Sequence, residues 1–590
     1  MALSITLVLA AVPLLVWYLY TVAVKWRYRT RDGLVYAPRS LLFGTGRVIA
    51  DLYRKRGDMR LHSGNTPATI FHIQYLKTDL HVDYIFYDLV KSMGHPPIVL
   101  ADFRPFHYEL AIISSHEIAE QISKTSKTFP YSVPKSPTMT DVMPLVGQYS
   151  LLNAEDEIWK ALRRTYNPGF APTHLVTLLP RIVEKTNIFV SRLDELVRSG
   201  EPSALDELCV NLTFDIIGAV VMDVDLNAQL SITEQSALVR YYRQLIQSYT
   251  DTSGLVGVPG NPLMKWRRNK LTHHIDRELK TIILDKHAEV LAKASTPSNG
   301  SPALTKQNRP RSVLSLSLSD HPALSPLALQ TTADTLKTFL FAGHDTTSIL
   351  LQWAFYELSR TPRALRTLRA ELLSVFGASA TSTSIAAAFA GPGGDDAIKR
   401  LSYTSAVIKE TLRLYPPAGS ARRVPPGTGF SVRMPDGGSA CLDGFVLYNC
   451  HFLVQRDPAV YGASADDWLP ERWLGDADTT RDDIAAVAAG QKGPGGLPPS
   501  AWRPFERGPR NCIGQELANL EARVILAVAA MRYDFVKVGA GELRKDGEGM
   551  PVLDAKGQYE VVSPMFNTRQ VTAKPFDGMR MLVKFHENQA

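Results

Sequence analysis

Cysteine is scarce: the 590 residues hold four, Cys209, Cys441, Cys450 and Cys512. None forms a CxxC pair and their spacing follows no framework, which argues against structural zinc and a disulfide-stapled fold and suits a reducing compartment. No strand runs into a GxGxxG turn, because Gly44-Thr45-Gly46 lacks the third glycine, so the chain shows no nicotinamide or flavin domain of its own. No basic run interleaves with stacking aromatics, no zinc-finger spacing occurs, and there is no internal repeat; a nucleic-acid partner is not expected.

One absence is local. Ala2 to Val24 contains no charged residue over 23 positions. At about 1.5 Å per residue that run crosses a hydrocarbon core of roughly 30 Å, so 1–24 reads as an N-terminal transmembrane helix. Lys25, Arg27, Arg29 and Arg31 follow it, and the positive-inside bias puts the body on the cytoplasmic side. The rival reading is a cleaved signal peptide; against it, the apolar run is long and no small-x-small cleavage site precedes the basic cluster. With a cytoplasmic body, the sequons at Asn211 and Asn299 carry no glycan.

The whole chain is 45% hydrophobic with a net charge of +7, enough apolar content for a large core and a charge suited to acidic partners and anionic membrane surfaces. The alternation in 97–114 predicts a β-hairpin. Helical patterns dominate from Glu155 to Gly377, including NLTFDIIGAVVM, 230–250 and 266–294. Three stretches of loop-like composition, 295–311, 378–396 and 490–500, read as surface insertions. The region 25–95 is juxtamembrane and carries few signals, so the catalytic domain is bounded as 96–585.

Four segments carry chemistry. Phe505 to Gly514, FERGPRNCIG, sets Cys512 between Gly508 and Gly514, with Arg510 two positions ahead and a helix, Ile513 to Arg532, directly behind. Glycines permit close backbone approach to a flat macrocycle, arginine forks onto carboxylates, and a helix start stabilises a thiolate: this is the layout of a haem-thiolate loop. Leu327 to Arg360, capped by Ser325 and stopped before Pro362, is apolar nearly all round yet reads Ala342-Gly343-His344-Asp345-Thr346-Thr347 at its centre, a local weakness of the kind that marks function. Glu410 and Arg413 share a helix face, and burying them requires a further partner. In Glu155 to Asn167, capped by Asn153, Trp159 and Arg163 point the same way.

Together these segments resemble the cytochrome P450 superfamily: FxxGxRxCxG at 505–514, AGxDTT at 342–347, ExxR at 410–413 with Arg472 in Pro470-Glu-Arg-Trp473, and WxxxR at 159–163. The resemblance spans roughly 95 to 585. It implies a mainly α fold with small β-sheets, haem b with Cys512 as axial thiolate, and proton delivery by Asp345 and Thr346 beside a small Gly343 that leaves room for dioxygen. Trp159, Arg163 and Arg510 would hold haem propionates, with Phe505, Gly508 and Gly514 shaping the loop. Glu410, Arg413 and Arg472 would be structural, and 130–147, Phe339–Thr347 and 418–424 would touch substrate. The implied partners are O2, a hydrophobic small molecule, a membrane and a separate NADPH-cytochrome P450 reductase, at the endoplasmic reticulum.

Finer likenesses, such as TFLFAGHDTTS and QYEVVSPMF, point to fungal oxygenases of polyketide mycotoxin pathways of the versicolorin type. Two alternatives stay open: a reductase-independent haem-thiolate peroxygenase or isomerase, against which the Asp345-Thr346 pair argues, and a non-enzymatic haem-binding protein.

Overall fold

The computed structural model describes residues 2–586 except 29, 31–32, 42, 62–79, 105–106, 251–261, 296–311, 320–321 and 475–495. The charge-free run winds into α1, Ala2–Arg27. Among the described residues no helix is long and apolar enough to cross a membrane. Arg27 does not face outward with the basic cluster. It is buried 2.8 Å from the carboxylate of Asp102, and its guanidinium donates to the carbonyls of Leu41 at 3.0 Å and Arg104 at 2.6 Å. A fully buried carboxylate demands cations, and Arg104 supplies the second at 2.9 Å while lying 4.3 Å over the Trp26 ring. The end of α1 is thereby fastened to the body.

The segment beyond it packs with the body too. Helices α2, Gly46–Leu61, and α3, Val82–Ser92, share an apolar cluster in which Tyr53, Ile85 and Leu89 meet Val99 and Ile112, and strand β1, Val35–Tyr36, runs parallel beside Val99 and Leu100. Val99 and Ile112 lie on β2, Ile98–Asp102, and β3, Glu109–Ile113, which form the expected hairpin with Ile98 opposite Ile113. With β4, Ser420–Arg423, and β5, Val446–Asn449, they make a sheet of order β1-β2-β3-β5-β4. Small sheets aside, the architecture is helical, as expected.

Helix α4, Asp156–Tyr166, starts later than predicted and is not capped by Asn153. The Asn153 amide is spent on the carbonyl of Gly147 at 2.7 Å, and the Ncap residue is Glu155, whose carboxylate instead accepts from the Lys135 N–H at 2.9 Å and pairs with Arg510. Helix α5, Leu205–Ile217, lies along the long central helix α6, Pro326–Arg360, which Ser325 caps by accepting from the Ala328 N–H at 3.1 Å. The weak centre of α6 does not break. Thr346 and Ser348 donate back to the carbonyls of Ala342 and Asp345, keeping their hydroxyls satisfied within the helix.

Asn211 lies buried on α5 and bonds Arg243, so its sequon is closed to glycosylation by packing, whatever the compartment. Residue 299 lies outside the described residues, as do 296–311 and 490–495 of the expected insertions. The stretch 378–396 is no loop: Ser382–Ala390 and Gly394–Lys399 are helices, opened by a Thr381–Ser384 capping box and buried through Ile385 and Phe389. Alanine is the best helix former, and its abundance there outweighs the serine and glycine that suggested a loop. The body is completed by α7, Ser402–Leu414, α8, Gln515–Arg532, and a hairpin of β6, Asn567–Arg569, with β7, Ala573–Pro575.

Candidate active site

The cysteine loop is closed by its own backbone. The Cys512 N–H reaches the Phe505 carbonyl at 2.8 Å and the Asn511 N–H that of Gly508 at 3.2 Å. Gly508 holds φ +76°, and a Cβ there would fall 2.1 Å from the Ser123 carbonyl oxygen, so glycine is required twice over. Helix α8 begins at Gln515 rather than Ile513, with Gly514 as its Ncap. Cys512 still feels that start: burial pushes its thiol pKa up, while the N–H groups of Gly514 and Gln515 and the Arg163 guanidinium pull it down. The side chain is accessible only within the cavity it lines, deep in the protein.

That cavity, about 290 Å³, lies between the cysteine loop and the centre of α6. Phe505, Cys512 and Gly514 line one side; Phe339, Ala342, Gly343 and Thr346 line the other. Two predicted roles change here. The missing Cβ of Gly343 would meet Ile217 Cδ1 at 2.6 Å, so this glycine lets α5 approach α6 rather than simply leaving room for a ligand. Asp345 does not line the cavity. It is 1% exposed and faces the C-terminal hairpin, bonded by the Thr572 hydroxyl and 3.0 Å from the Lys574 ammonium, which outweigh burial and hold its pKa down. Thr346 alone of the pair reaches the cavity. His344 stacks on Phe214 at 3.9 Å, and burial lowers its pKa to about 4, so it is a neutral packing residue.

The expected carboxylate binders are present with altered partners. Trp159 and Arg163 both line the cavity, but Arg163 donates to Asn511, to its carbonyl at 3.1 Å and its side-chain oxygen at 3.2 Å. Arg510 pairs with Glu155, donates to the carbonyls of Leu152 at 3.2 Å and Ala154 at 2.7 Å, and lies 5.1 Å over the Trp159 ring. Burial lowers its pKa to about 10.

Three residues near the same edge went unread as cofactor ligands in the sequence. Lys135 and His451 line the cavity, and Arg422 is fully buried beside Lys135. Burial, then repulsion from Arg422 and Arg510, drives the Lys135 pKa well down. Nε and Nη2 of Arg422 and Nδ1 of His451 are buried with no hydrogen-bond partner among the described residues. Lys135 and Arg422 fall in the stretches expected to touch substrate, 130–147 and 418–424, where Asp141 and Arg423 are charged as well, so the sequence carries no signal that singles them out. A crowd of buried cations facing few anions is costly alone and well matched to a flat group bearing two carboxylates. The residues present fit haem.

Behind the loop, the Glu410 and Arg413 side chains are fully buried and joined twice, at 2.9 and 2.8 Å. Arg413 also donates to the carbonyls of Gln455, Ala465 and Asp467, and Glu410 accepts from Arg472 at 3.3 Å and Trp473 at 2.9 Å. Gln455 passes the connection on, since its side-chain oxygen accepts from the Arg503 N–H at 2.8 Å at the head of the cysteine loop. The trio is a frame for that loop and does not touch the cavity.

Comparison with known proteins agrees with this geometry. The family model for cytochrome P450 matches residues 71–558. The cytochrome P450 monooxygenase acrF of Aspergillus aculeatus is 32% identical over 494 residues, 82% of this chain and 93% of the relative. The monooxygenase polC of Polytolypa hystricis is 27% identical, covering 88% and 84%. The crystal structure of the cytochrome P450DA heme domain superposes with a TM-score of 0.65 at 17% identity, over 95% of this chain and 99% of that one, a likeness of fold. With its thiol, its cation cluster and its buried ExxR frame disposed about one cavity, the chain belongs to the cytochrome P450 family as a monooxygenase whose cofactor is a haem held by a cysteine thiolate.

Proposed function

We propose that this enzyme inserts one oxygen atom from O2 into a hydrophobic small molecule of fungal secondary metabolism, with electrons from a separate NADPH-dependent reductase. The observation that carries the reading is the cavity itself: Cys512 and the Thr346 hydroxyl on facing walls, with Phe170, Ile217, Phe339, Leu350 and Leu412 between them. Apolar and aromatic walls select an apolar, flat substrate such as a polyketide or anthraquinone, and exclude water from it. That acrF and polC are fungal monooxygenases supports the setting in fungal secondary metabolism.

Haem bound here supplies the activation of dioxygen. The chain's residues do the rest. Lys135, Arg422, Arg510 and His451 would hold the carboxylates of the cofactor, with Trp159 beside them in the same cavity, and the Arg163–Asn511 clamp holds the loop. Thr346, whose proton is donated to the Ala342 carbonyl at 2.7 Å, presents its oxygen lone pairs to the cavity and there holds a water or a proton donor. The charge-free run Ala2–Val24 serves as an anchor in the endoplasmic reticulum membrane with the body in the cytoplasm; the exposure of Leu14, Trp17 and Leu19 supports this.

The test is to incubate reductase-containing membranes expressing the chain with extracts of its producer and identify by mass the molecule that gains an oxygen atom. Turnover that ignores NADPH would favour the peroxygenase reading. Protease added to intact microsomes should digest the body; protection would reverse the topology.

A further inference from the structure

The second half of α6 carries an aromatic pair that the reading above leaves without a role. Trp353 stacks face to face on Tyr415, the residue after α7, with ring centroids 3.6 Å apart and planes within 3°. Both stand directly behind the cavity wall. Trp353 is three positions on from Leu350, and Tyr415 falls between Leu412 and Pro417; Leu350, Leu412 and Pro417 all line the cavity. Indole and phenol are the aromatic side chains that give up an electron readily, and here they sit in contact beside the place where dioxygen is activated.

The two rings differ in what becomes of the proton. Tyr415 donates its hydroxyl to Glu357 Oε1 at 2.5 Å, and Glu357 is 1% exposed, with Oε2 making no hydrogen bond among the described residues. Arg360 Nη1 faces the same carboxylate at 3.6 Å. Burial, then the Glu357 charge, push the Tyr415 pKa well up, so the phenol keeps its proton at rest. Once it has lost an electron a phenol is a strong acid, and a carboxylate already hydrogen-bonded to it takes the proton, leaving a neutral radical. Trp353 has no such base: its indole N–H donates at 2.8 Å to the amide oxygen of Asn567, which accepts a hydrogen bond but does not take the proton.

A path leads outward from Tyr415. The Arg456 guanidinium lies 5.9 Å from its ring and 3.7 Å over Phe452, and Phe452 packs on Tyr84 at 4.8 Å and on Tyr87 at 6.0 Å. Tyr87, on α3, repeats the phenol–carboxylate arrangement at the surface, donating at 2.9 Å to Asp466, whose side chain is 61% exposed.

We propose that Tyr415 is a redox-active tyrosine: with no substrate in the cavity it gives an electron, through the Trp353 ring, to the oxidant formed there and its proton to Glu357, and it is restored by an electron that enters at Tyr87 from a one-electron donor such as ascorbate. The proton returns from Glu357 as that electron arrives, so each turn moves one electron inward. An alkyl hydroperoxide, two such electrons and two protons from solvent give the alcohol and water, while two ascorbates become two ascorbyl radicals. The pair thereby spares the cofactor and the Cys512 thiolate from the oxidant. This inference rests on the haem-thiolate reading above.

The test uses the full haem-loaded chain with cumene hydroperoxide and neither reductase nor organic substrate. Samples are freeze-quenched for electron paramagnetic resonance, and loss of the Soret band is followed with and without ascorbate. Wild type should show a tyrosyl radical that ascorbate erases, with slower bleaching. Tyr415→Phe keeps the stacked ring without the phenol; the tyrosyl signal and the protection by ascorbate should both be lost, while the reduced carbon monoxide complex keeps its red-shifted band. Glu357→Gln keeps an acceptor without a base, so the signal should change from a phenoxyl to an indole radical. Trp353→Phe should delay the tyrosyl signal several-fold, and Tyr87→Phe should leave that signal but blunt its erasure by ascorbate.

An undiminished tyrosyl signal in Tyr415→Phe, or full ascorbate protection there, would reduce the pair to packing and overturn the proposal. If the wild-type chain binds no haem, the haem-thiolate reading fails by itself. A ruthenium polypyridyl photo-oxidant with persulfate then generates the radical, and its loss or persistence in Tyr415→Phe decides the site.

Discussion

The Arg163 guanidinium holds Asn511 by both its backbone and side-chain oxygens, at 3.1 and 3.2 Å, and Asn511 is the residue before Cys512. An arginine expected on a cofactor carboxylate therefore fixes the height of the thiolate loop. Each charged hydrogen bond of this kind contributes about 1.5–3 kcal/mol. Arg163→Ala should fold but lose haem on gel filtration and weaken the red-shifted Soret band of its reduced carbon monoxide complex, with Arg163→Lys intermediate for want of the fork. Full occupancy in Arg163→Ala would show that the clamp is idle.

Glu410 has no exposure to solvent, and Arg413, Arg472 and Trp473 all converge on it. Glu410→Ala strands two guanidinium groups, at a cost of about 3–5 kcal/mol for breaking a buried pair. The measure is the urea midpoint of whatever soluble protein is recovered, and a midpoint equal to wild type would remove the trio from the frame of the cysteine loop.

Thr346 reaches the cavity and Asp345 does not, so the two members of the motif should separate on substitution. Thr346→Ala should leave haem content intact and divert NADPH electrons to peroxide. Asp345→Asn should mainly slow O2 reduction. Peroxide formed per NADPH oxidised is the quantity to follow, and an unchanged ratio in Thr346→Ala would favour reductase-independent chemistry.

Glu521 on α8 lines the cavity at 3% exposure, and burial raises its carboxyl pKa to about 8, with Thr347 pulling the other way. Its folded pKa lies above its unfolded value near 4.3, so the native state binds the extra proton between those limits, and its stabilising effect is full at low pH and lost as pH rises toward about 8. The slope is at most about 1.4 kcal/mol per pH unit. Glu521→Gln should flatten the pH dependence of thermal stability across that window; a steeper dependence would contradict the assignment.

Much of this arrangement was legible in the sequence because it is local. Ser325 as a cap, the Glu410–Arg413 spacing and the glycines around Cys512 state their geometry within a turn or a loop. What could not be read was orientation fixed by distant chain. Asp345 points toward Lys574, more than two hundred positions on, and Arg422 meets Lys135 from a different strand. The helix at Ser382–Ala390 was hidden for another reason: its small residues mimic a loop until the burial of Ile385 and Phe389 is known.

Arg27 was expected to act with Lys25 as a surface cation, yet it is 1% exposed and paired with Asp102, itself fully buried, while Lys25 remains exposed. The apolar helix α1 is then fastened to the sheet edge, with Arg104 and Trp26 completing the contact. Arg27→Ala leaves Asp102 with one cation instead of two, and local opening of the segment after α1 should become easier by about 2–3 kcal/mol. Subtilisin cleavage between Tyr28 and Thr45 should quicken by roughly thirty- to a hundredfold, since each 1.4 kcal/mol is about a factor of ten. Lys25→Ala removes a charge of the same sign two residues away without touching Asp102 and should leave the rate alone. Equal rates in Arg27→Ala and wild type would mean that α1 is a free tether, and that the Arg27–Asp102 pair does not set how the body is held relative to its N-terminal helix.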